Sequence, residues 1–361
     1  MVKKRPLLIF LLLCAAGAPL FSEVSTTVEL EVYNTLSMLD KTEVGFSATG
    51  IGTLTFSVKA AKNVKAELSL QGIISDTPAL HIPRAYIKTR FPGFRITIGK
   101  APVSWGSGFA FNAGDVVFRH FLPAEALSEE TLRDAAVLGT SAYVPLGLFS
   151  FAEFLLIPPE LDIHAVISDP EYTVPPISDT RLGGRLYLEA GPFNIEPGYL
   201  YNGPEDKHYP YLSLQGHLLA DWYIATSVGI ETGTDDGDAV YQTFLMSPGG
   251  SYTAPFDNGG SLTVRLEALL SPAGEWEELE TAGPYTGSAL NGSALSYPQY
   301  GLYLYPEVNW GITEASAVFI RSIFSVIDMS AQTILGGSWN IFTGFDLIGF
   351  INIEGGDESD T

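Results

Sequence analysis

The residues best suited to catalysis or metal binding are scattered along the chain. None of the five histidines accompanies a recognisable nucleophile motif; they are His81, His120, His164, His208 and His217. A hydrolase needs a nucleophile beside a positioned histidine, and the sequence contains no GxSxG, HExxH, P-loop or glycine-rich dinucleotide motif. The carboxylates of DDGD at 235–238 lack the 12-residue pattern of a calcium loop. We therefore expect no enzymatic activity, no metal and no cofactor.

The basic residues, in contrast, are ordered. In PRAYIKTRF, Arg84, Lys88 and Arg90 alternate with apolar residues, and later segments repeat the pattern. A period of two places such residues on one face of a β-strand. The sequence therefore predicts one basic wall, formed by Arg84, Lys88, Arg90, Arg95, Arg181, Arg185 and Arg265.

A second unusual feature is the segment RITIGKAPVSWGSGFAFNAGDVVF at 95–118. It begins as a strand and then becomes rich in glycine, serine, asparagine and aromatic residues. Its aromatic side chains would be costly in bulk water, whereas its glycines permit tight turns. We therefore expect this loop to fold back against the protein, with Trp105, Gly106, Gly108, Phe111, Asn112 and Asp115 as its characteristic residues.

The elements that must position these residues are strands. In NVKAELSLQG, Val64, Ala66 and Leu68 face one way, while Lys65 and Glu67 face the other. Such alternation recurs, without a convincing amphipathic helix, over 17 segments: 25–37, 42–60, 63–74, 81–91, 94–101, 133–144, 148–157, 180–190, 193–201, 209–219, 222–233, 238–247, 259–271, 296–309, 312–324, 328–341 and 343–353.

The N-terminus predicts export. MVKKRPLLIFLLLCAAGAPLFS has basic, apolar and small-residue regions, so residues 1–22 are expected to be a secretory signal. Its removal would take away the only cysteine, Cys14, and would leave the chain without disulfides. The formal net charge of −22 excludes nucleic acid as an expected partner.

Alternation alone fits either a soluble β-sandwich or a membrane barrel. Short connections at 92–93, 145–147, 191–192, 219–221 and 309–311 alternate with long ones at 102–132, 158–179 and 271–297, which favours an antiparallel transmembrane β-barrel. Aromatic residues near predicted strand ends fit interfacial girdles: Phe91, Phe94, Tyr201, Tyr209, Trp222, Tyr223, Trp310 and Trp339. The barrel is expected over residues 23–354, with an acidic tail at 355–361.

We expect about 16–18 strands. Because bacterial single-chain barrels have an even number, one of the 17 segments is expected to be wrong, either 238–247 or 343–353. A barrel of this size leaves a water-filled lumen unless loops plug it.

The loop also resembles a motif that follows an early strand in bacterial outer-membrane porin-like barrels. The resemblance covers about 25 residues and is carried by Gly99, Lys100, Trp105, Gly106, Gly108, Phe111, Asn112 and Asp115. It implies an outer-membrane channel. The C-terminus departs from the pattern, because such barrels commonly finish on an aromatic residue and this chain continues through GGDESDT.

The expected function is a porin-like channel in the cell outer membrane for passive or weakly selective passage of small polar solutes. Residues 102–132 are expected to fold inward, with Asp115, Glu125, Glu129 and Glu130 facing the basic wall. The alternative for this loop is packing outside the lumen, where it would cap the rim or bind a partner. In another reading, the lumen simply tolerates charge because Glu67, Glu189 and Glu267 pair with the arginines. The alternative functions are a closed barrel serving as an adhesin or interaction platform, and an importer of hydrophobic compounds. Expected partners are outer-membrane lipid, small polar solutes and, as an open possibility, further copies of the chain.

Overall fold

A computed structural model describes residues 23–39, 43–61, 63–74, 78–118, 135–159, 173–231, 243–277, 298–343 and 345–355. The predicted signal segment and the tail after Gly355 lie outside the described residues. The described chain forms these β-segments: β1 (Glu23–Leu39), β2 (Glu43–Ala61), β3 (Val64–Ile74), β4 (Ala79–Phe91), β5 (Phe94–Pro102), β6 (Ala136–Pro145), β7 (Phe151–Ile157), β8 (Arg181–Ala190), β9 (Phe193–Asn202), β10 (Lys207–His217), β11 (Asp221–Ser227), β12 (Ile230–Glu231), β13 (Leu245–Pro255), β14 (Ser261–Leu270), β15 (Leu302–Thr313), β16 (Ser316–Ser325), β17 (Ala331–Phe342) and β18 (Phe345–Gly355).

These segments form one closed barrel of 17 strands. β11 and β12 make up a single interrupted strand, because both pair with β10 in the same register: Tyr211 lies opposite Ser227, and His208 lies opposite Ile230. The other neighbouring strands are antiparallel, whereas β1 and β18 close the barrel in parallel. Consecutive hairpins reverse the chain at each step, so an odd number of strands leaves the first and last pointing the same way.

The predicted barrel class and strand range are confirmed, and the expectation of an even number is wrong. The segment 343–353 is a strand, β18. The segment 238–247 is misplaced, because the strand there is β13 at Leu245–Pro255 and residues 232–242 are not described.

The two ends of the barrel differ. At one end, here called the turn end, strands are joined by short connections such as Pro92–Gly93 and Gly191–Pro192. At the other, the loop end, the connections after β5, β7 and β14 are long. The predicted turn at 309–311 is wrong, since these residues lie inside β15 and the chain reverses at Glu314–Ala315.

The outer surface is apolar, and the interior carries the polar side chains. Ile87, Ile98 and Leu266 are exposed on the outside, whereas Glu67 and Glu267 are buried within. Leu182 and Leu186 on β8 are also exposed on the outside. No helix in the described part of the chain is long and apolar enough to cross a membrane.

Aromatic residues line the outer surface near the turn end. Phe91 stacks on Phe94 with ring centroids 4.8 Å apart, and Trp310 and Trp339 are exposed. Two of the residues predicted for the girdle, Tyr209 and Tyr223, do not lie on the outer surface. Tyr209 is buried and Tyr223 binds the interior Glu267, because the alternation of β10 and β11 turns both side chains inward.

The interior also contains two apolar clusters. One joins Phe109 and Phe111 to the inner faces of β13–β18, including Tyr303, Phe319 and Phe350. The other joins the same loop to β7, β9 and β10; its members include Val103, Trp105, Val116, Leu155, Leu200 and Tyr211.

Candidate functional site

Residues 103–118, here called the inner loop, lie inside the barrel. Trp105 and Phe111 have no exposed surface, and Val116 and Val117 are almost completely covered. The backbone folds tightly at Gly106, whose φ of +74° favours glycine. A Cβ on Gly106 would lie 2.7 Å from the backbone of Gly114, so the two arms of the loop meet where only glycine fits.

Side chains of the loop stabilise this turn. Asn112 Nδ2 donates to the Trp105 carbonyl oxygen at 2.9 Å, and Asp115 Oδ1 accepts hydrogen bonds from the backbone N–H groups of Val117 and Phe118. A Cβ on Gly108 would lie 2.4 Å from the Phe111 carbonyl oxygen. The residues that gave the loop its sequence signature therefore build its fold.

Glu267 on β14 holds the tip of the loop. Its carboxylate accepts hydrogen bonds from the backbone N–H groups of Phe109, Ala110 and Phe111, each at 2.9 Å, and from the Tyr223 hydroxyl. Consecutive N–H groups that converge in this way form a nest for an anion. Here the chain supplies the anion itself.

Arg185 on β8 holds the start of the loop. Its guanidinium donates to Glu153 at 2.8 Å, to Glu196 at 3.2 Å and to the Ser104 carbonyl oxygen at 2.7 Å. The same carboxylates bind the loop directly: Trp105 Nε1 donates to Glu153 at 3.1 Å, and Gly106 N–H donates to Glu196 at 2.8 Å. One cation, two acids and the loop backbone thus form a single network.

Further contacts join the loop to neighbouring strands. Arg265 on β14 lies 3.5 Å above the Phe109 ring centroid and donates to Glu307 at 2.9 Å. Arg181 on β8 donates to the Val117 carbonyl oxygen at 3.0 Å. Ala113 N–H donates to the Ser247 hydroxyl, and the Ser107 and Ser213 hydroxyls are hydrogen-bonded. The loop therefore contacts the wall from β7 round to β15.

The remaining predicted wall residues lie on the inner faces of β4 and β5. Arg84 contacts Glu67 at 3.4 Å, Lys88 lies over the Tyr86 ring, and Arg95 lies 4.1 Å above the Tyr143 ring centroid. Arg90 is directly opposite Arg95. The structure therefore divides the seven predicted wall residues into two groups: Arg181, Arg185 and Arg265 bind or contact the loop, and Arg84, Lys88, Arg90 and Arg95 lie on β4 and β5. The groups adjoin, because Tyr143 and Glu153 alone separate Arg95 from Arg185 in the register.

The sequence interpretation missed the carboxylates that bind the loop-side arginines. Glu153, Glu196 and Glu307 do so, whereas Glu189 and Glu267 were named as partners. Glu153 and Glu196 lie in the predicted strands 148–157 and 193–201, and their alternation could have placed them on the inner face. Which residue lies beside them depends on strand register, which alternation does not give.

The described residues contain no group of three or more histidine, cysteine or acidic side chains arranged to hold a metal ion. Of the acidic loop residues expected to face the basic wall, Asp115 is described and caps its own turn, whereas Glu125, Glu129 and Glu130 lie outside the described residues.

Comparison with known protein families and with curated proteins finds no match. Among solved structures, a mutant of the Rh. blastica porin aligns with a TM-score of 0.50 at 9% identity, over 87% of this chain and 99% of the porin. OccAB4 of Acinetobacter baumannii aligns with a TM-score of 0.50 at 10% identity, over 90% of each chain. At such low identity the likeness concerns the fold alone. The chain has the fold of the bacterial outer-membrane porins, in agreement with the resemblance noted in its loop.

Proposed function

We propose that the protein is a non-enzymatic channel of the bacterial outer membrane, through which small polar solutes pass beside the inner loop. An apolar outer surface with aromatic residues near the turn end supports insertion into a bilayer. The basic and apolar start of the sequence supports export, with residues 1–22 removed as a signal.

The position of the inner loop carries the proposal. Its hydrogen bonds to Glu153, Glu196, Ser247 and Glu267 fix it against one side of the interior, between β7 and β15. The opposite inner faces, on β2–β5, carry polar side chains that retain solvent exposure, among them Thr53, Thr55, Gln71, Lys65 and Arg84. A solute path would therefore run between the loop and β2–β5.

This arrangement favours polar solutes over oily ones. The apolar side chains of the interior are packed in the two clusters with exposures of 9% or less, whereas the path faces hydroxyls, amides and charged groups. Import of hydrophobic compounds would require the packed clusters to separate.

Deleting residues 106–118 tests this function. The expected result is a higher single-channel conductance than that of the unaltered barrel in planar bilayers, because the deletion removes the segment that fills part of the lumen. Deleting Gly147 and Leu148 from the exposed β6–β7 turn is the control, and it should leave conductance unchanged. A folded loop deletion with unaltered conductance would contradict the proposed constriction.

The second candidate is a closed barrel that serves as a surface platform. The two buried clusters favour it, since they fill part of the interior with side chains instead of water. A folded barrel that conducts neither before nor after the deletion would support this candidate.

A further inference from the structure

Two like-charged pairs lie next to each other on the inner wall. Lys65 on β3 is directly opposite Lys88 on β4, and Arg90 on β4 is directly opposite Arg95 on β5. Directly opposed like charges destabilise a sheet. A barrel that keeps two such pairs on one face gains stability from a bound anion.

Within β3–β5, basic side chains outnumber acidic ones. β3, β4 and β5 are fully described, and Glu67 is the sole acidic residue within them. Glu67 accepts hydrogen bonds from Lys65 at 2.8 Å and from Arg84 at 3.4 Å. One carboxylate within β3–β5 thus faces five inward cations: Lys65, Arg84, Lys88, Arg90 and Arg95. Glu153 on β7 adds a second negative charge nearby, since Tyr143 alone separates it from Arg95 in the register, and the patch keeps an excess of positive charge.

The cations that bind or contact the inner loop differ in their surroundings. Arg185 has two carboxylate partners and Arg265 has one, and each side chain is only 13% exposed. The Lys65 side chain is 40% exposed, and Arg90 is also exposed. A solute inside the barrel would therefore meet the charges of β3–β5 first.

We propose that Lys65, Lys88, Arg90 and Arg95 form a binding site for small solutes that carry an oxyanion group, such as a phosphate. Guanidinium groups bind oxyanions through paired hydrogen bonds, and ammonium groups add point charge. Arg95 is held in place by the Tyr143 ring, and Thr97 lies opposite Lys88 with a hydroxyl as a further donor. This proposal specifies the class of solute that the channel would carry, and to that extent it rests on the proposed function.

A binding measurement tests the site without requiring conduction. Sodium pyrophosphate should raise the melting temperature of the folded barrel in detergent by about 3 °C or more, relative to sodium chloride of equal ionic strength. Succinate in place of pyrophosphate distinguishes a general oxyanion site from one that requires phosphate. The double variant K88Q/R90Q should lose the response and, without anion, should melt no lower than the unaltered barrel, because repulsion has been removed. Lys100→Gln is the matched control, since Lys100 pairs with the exposed Leu138 on the outer face and its loss should not alter the response.

Ion selectivity gives the second measurement. Under a potassium chloride gradient, the reversal potential should show preference for chloride, and K88Q/R90Q should shift it towards zero while Lys100→Gln does not. A barrel that conducts without this preference, and that pyrophosphate does not stabilise, would overturn the site and leave the channel standing. A barrel that pyrophosphate stabilises but that does not conduct would support the site and overturn the channel.

Discussion

At the scale of single residues, buried carboxylates turn a glycine-rich segment into a fixed part of the interior. Glu267 satisfies three successive backbone N–H groups of the inner loop, and Glu196 satisfies a fourth. The sequence indicated which side chains point inward, including Arg185 and Arg265, because that depends only on alternation. It could not indicate their partners, because Glu153 and Glu307 reach them across neighbouring strands.

Replacing Glu267 with glutamine tests this attachment. Three backbone N–H groups share the two carboxylate oxygens of Glu267, whereas a glutamine amide has one oxygen. At least one buried N–H group therefore loses its acceptor. We expect the free energy of unfolding to fall by about 2 kcal/mol, as measured by urea unfolding. Glu189→Gln removes the same charge from an exposed carboxylate and should change stability little. Equal stability of the two variants would contradict the attachment.

At the scale of elements, strands with regular alternation were predictable and irregular ones were not. β13 contains Pro248, Gly249 and Gly250, which resemble a loop, so the sequence placed the strand too early. In the barrel, a Cβ on Gly249 would lie 2.5 Å from the Tyr223 ring, so glycine makes room for that side chain. Conversely, NWG at 309–311 has turn-like composition, yet Trp310 faces outward and the strand continues.

The assignment of faces can be tested by adding the same charge to each side. Ile87 is exposed on the outer surface of β4, whereas Gln71 on β3 lies on the inner face and shares a hydrogen bond with Thr53. We expect Ile87→Arg to lower the free energy of unfolding in lipid by about 2 kcal/mol, since a charge facing lipid is costly. Gln71→Arg should be tolerated, because the inner face accommodates polar groups. The reverse order would mean that the faces are assigned the wrong way round.

At the scale of the whole molecule, the odd strand number sets the positions of the termini. Glu23 begins β1 at the turn end, and Gly355 finishes β18 at the loop end, because the two strands run in parallel. The alternation in the sequence predicted 17 strand segments, and the barrel has 17 strands. The general preference of bacterial barrels for even numbers had wrongly indicated that one segment was not a strand. Closure is a property of the complete ring of strands, so no single segment shows it.

A disulfide across the seam tests this closure. Val32 lies opposite Leu347 in the parallel register, so cysteines at both positions should form a disulfide on oxidation, visible as a shift on a non-reducing gel. Cysteines at Val32 and Ile353 should not, because Ile353 lies opposite Met38. The experiment uses the chain without residues 1–22, so that Cys14 adds no competing thiol. Cross-linking of the second pair in preference to the first would contradict the parallel seam.

Single-channel recording of the refolded protein in planar bilayers tests whether the barrel conducts. We expect discrete, uniform conductance steps, because a polar path remains between the fixed inner loop and β2–β5. A protein that inserts as a folded, strand-rich barrel and yet passes no current above that of the bare bilayer would contradict the proposed channel.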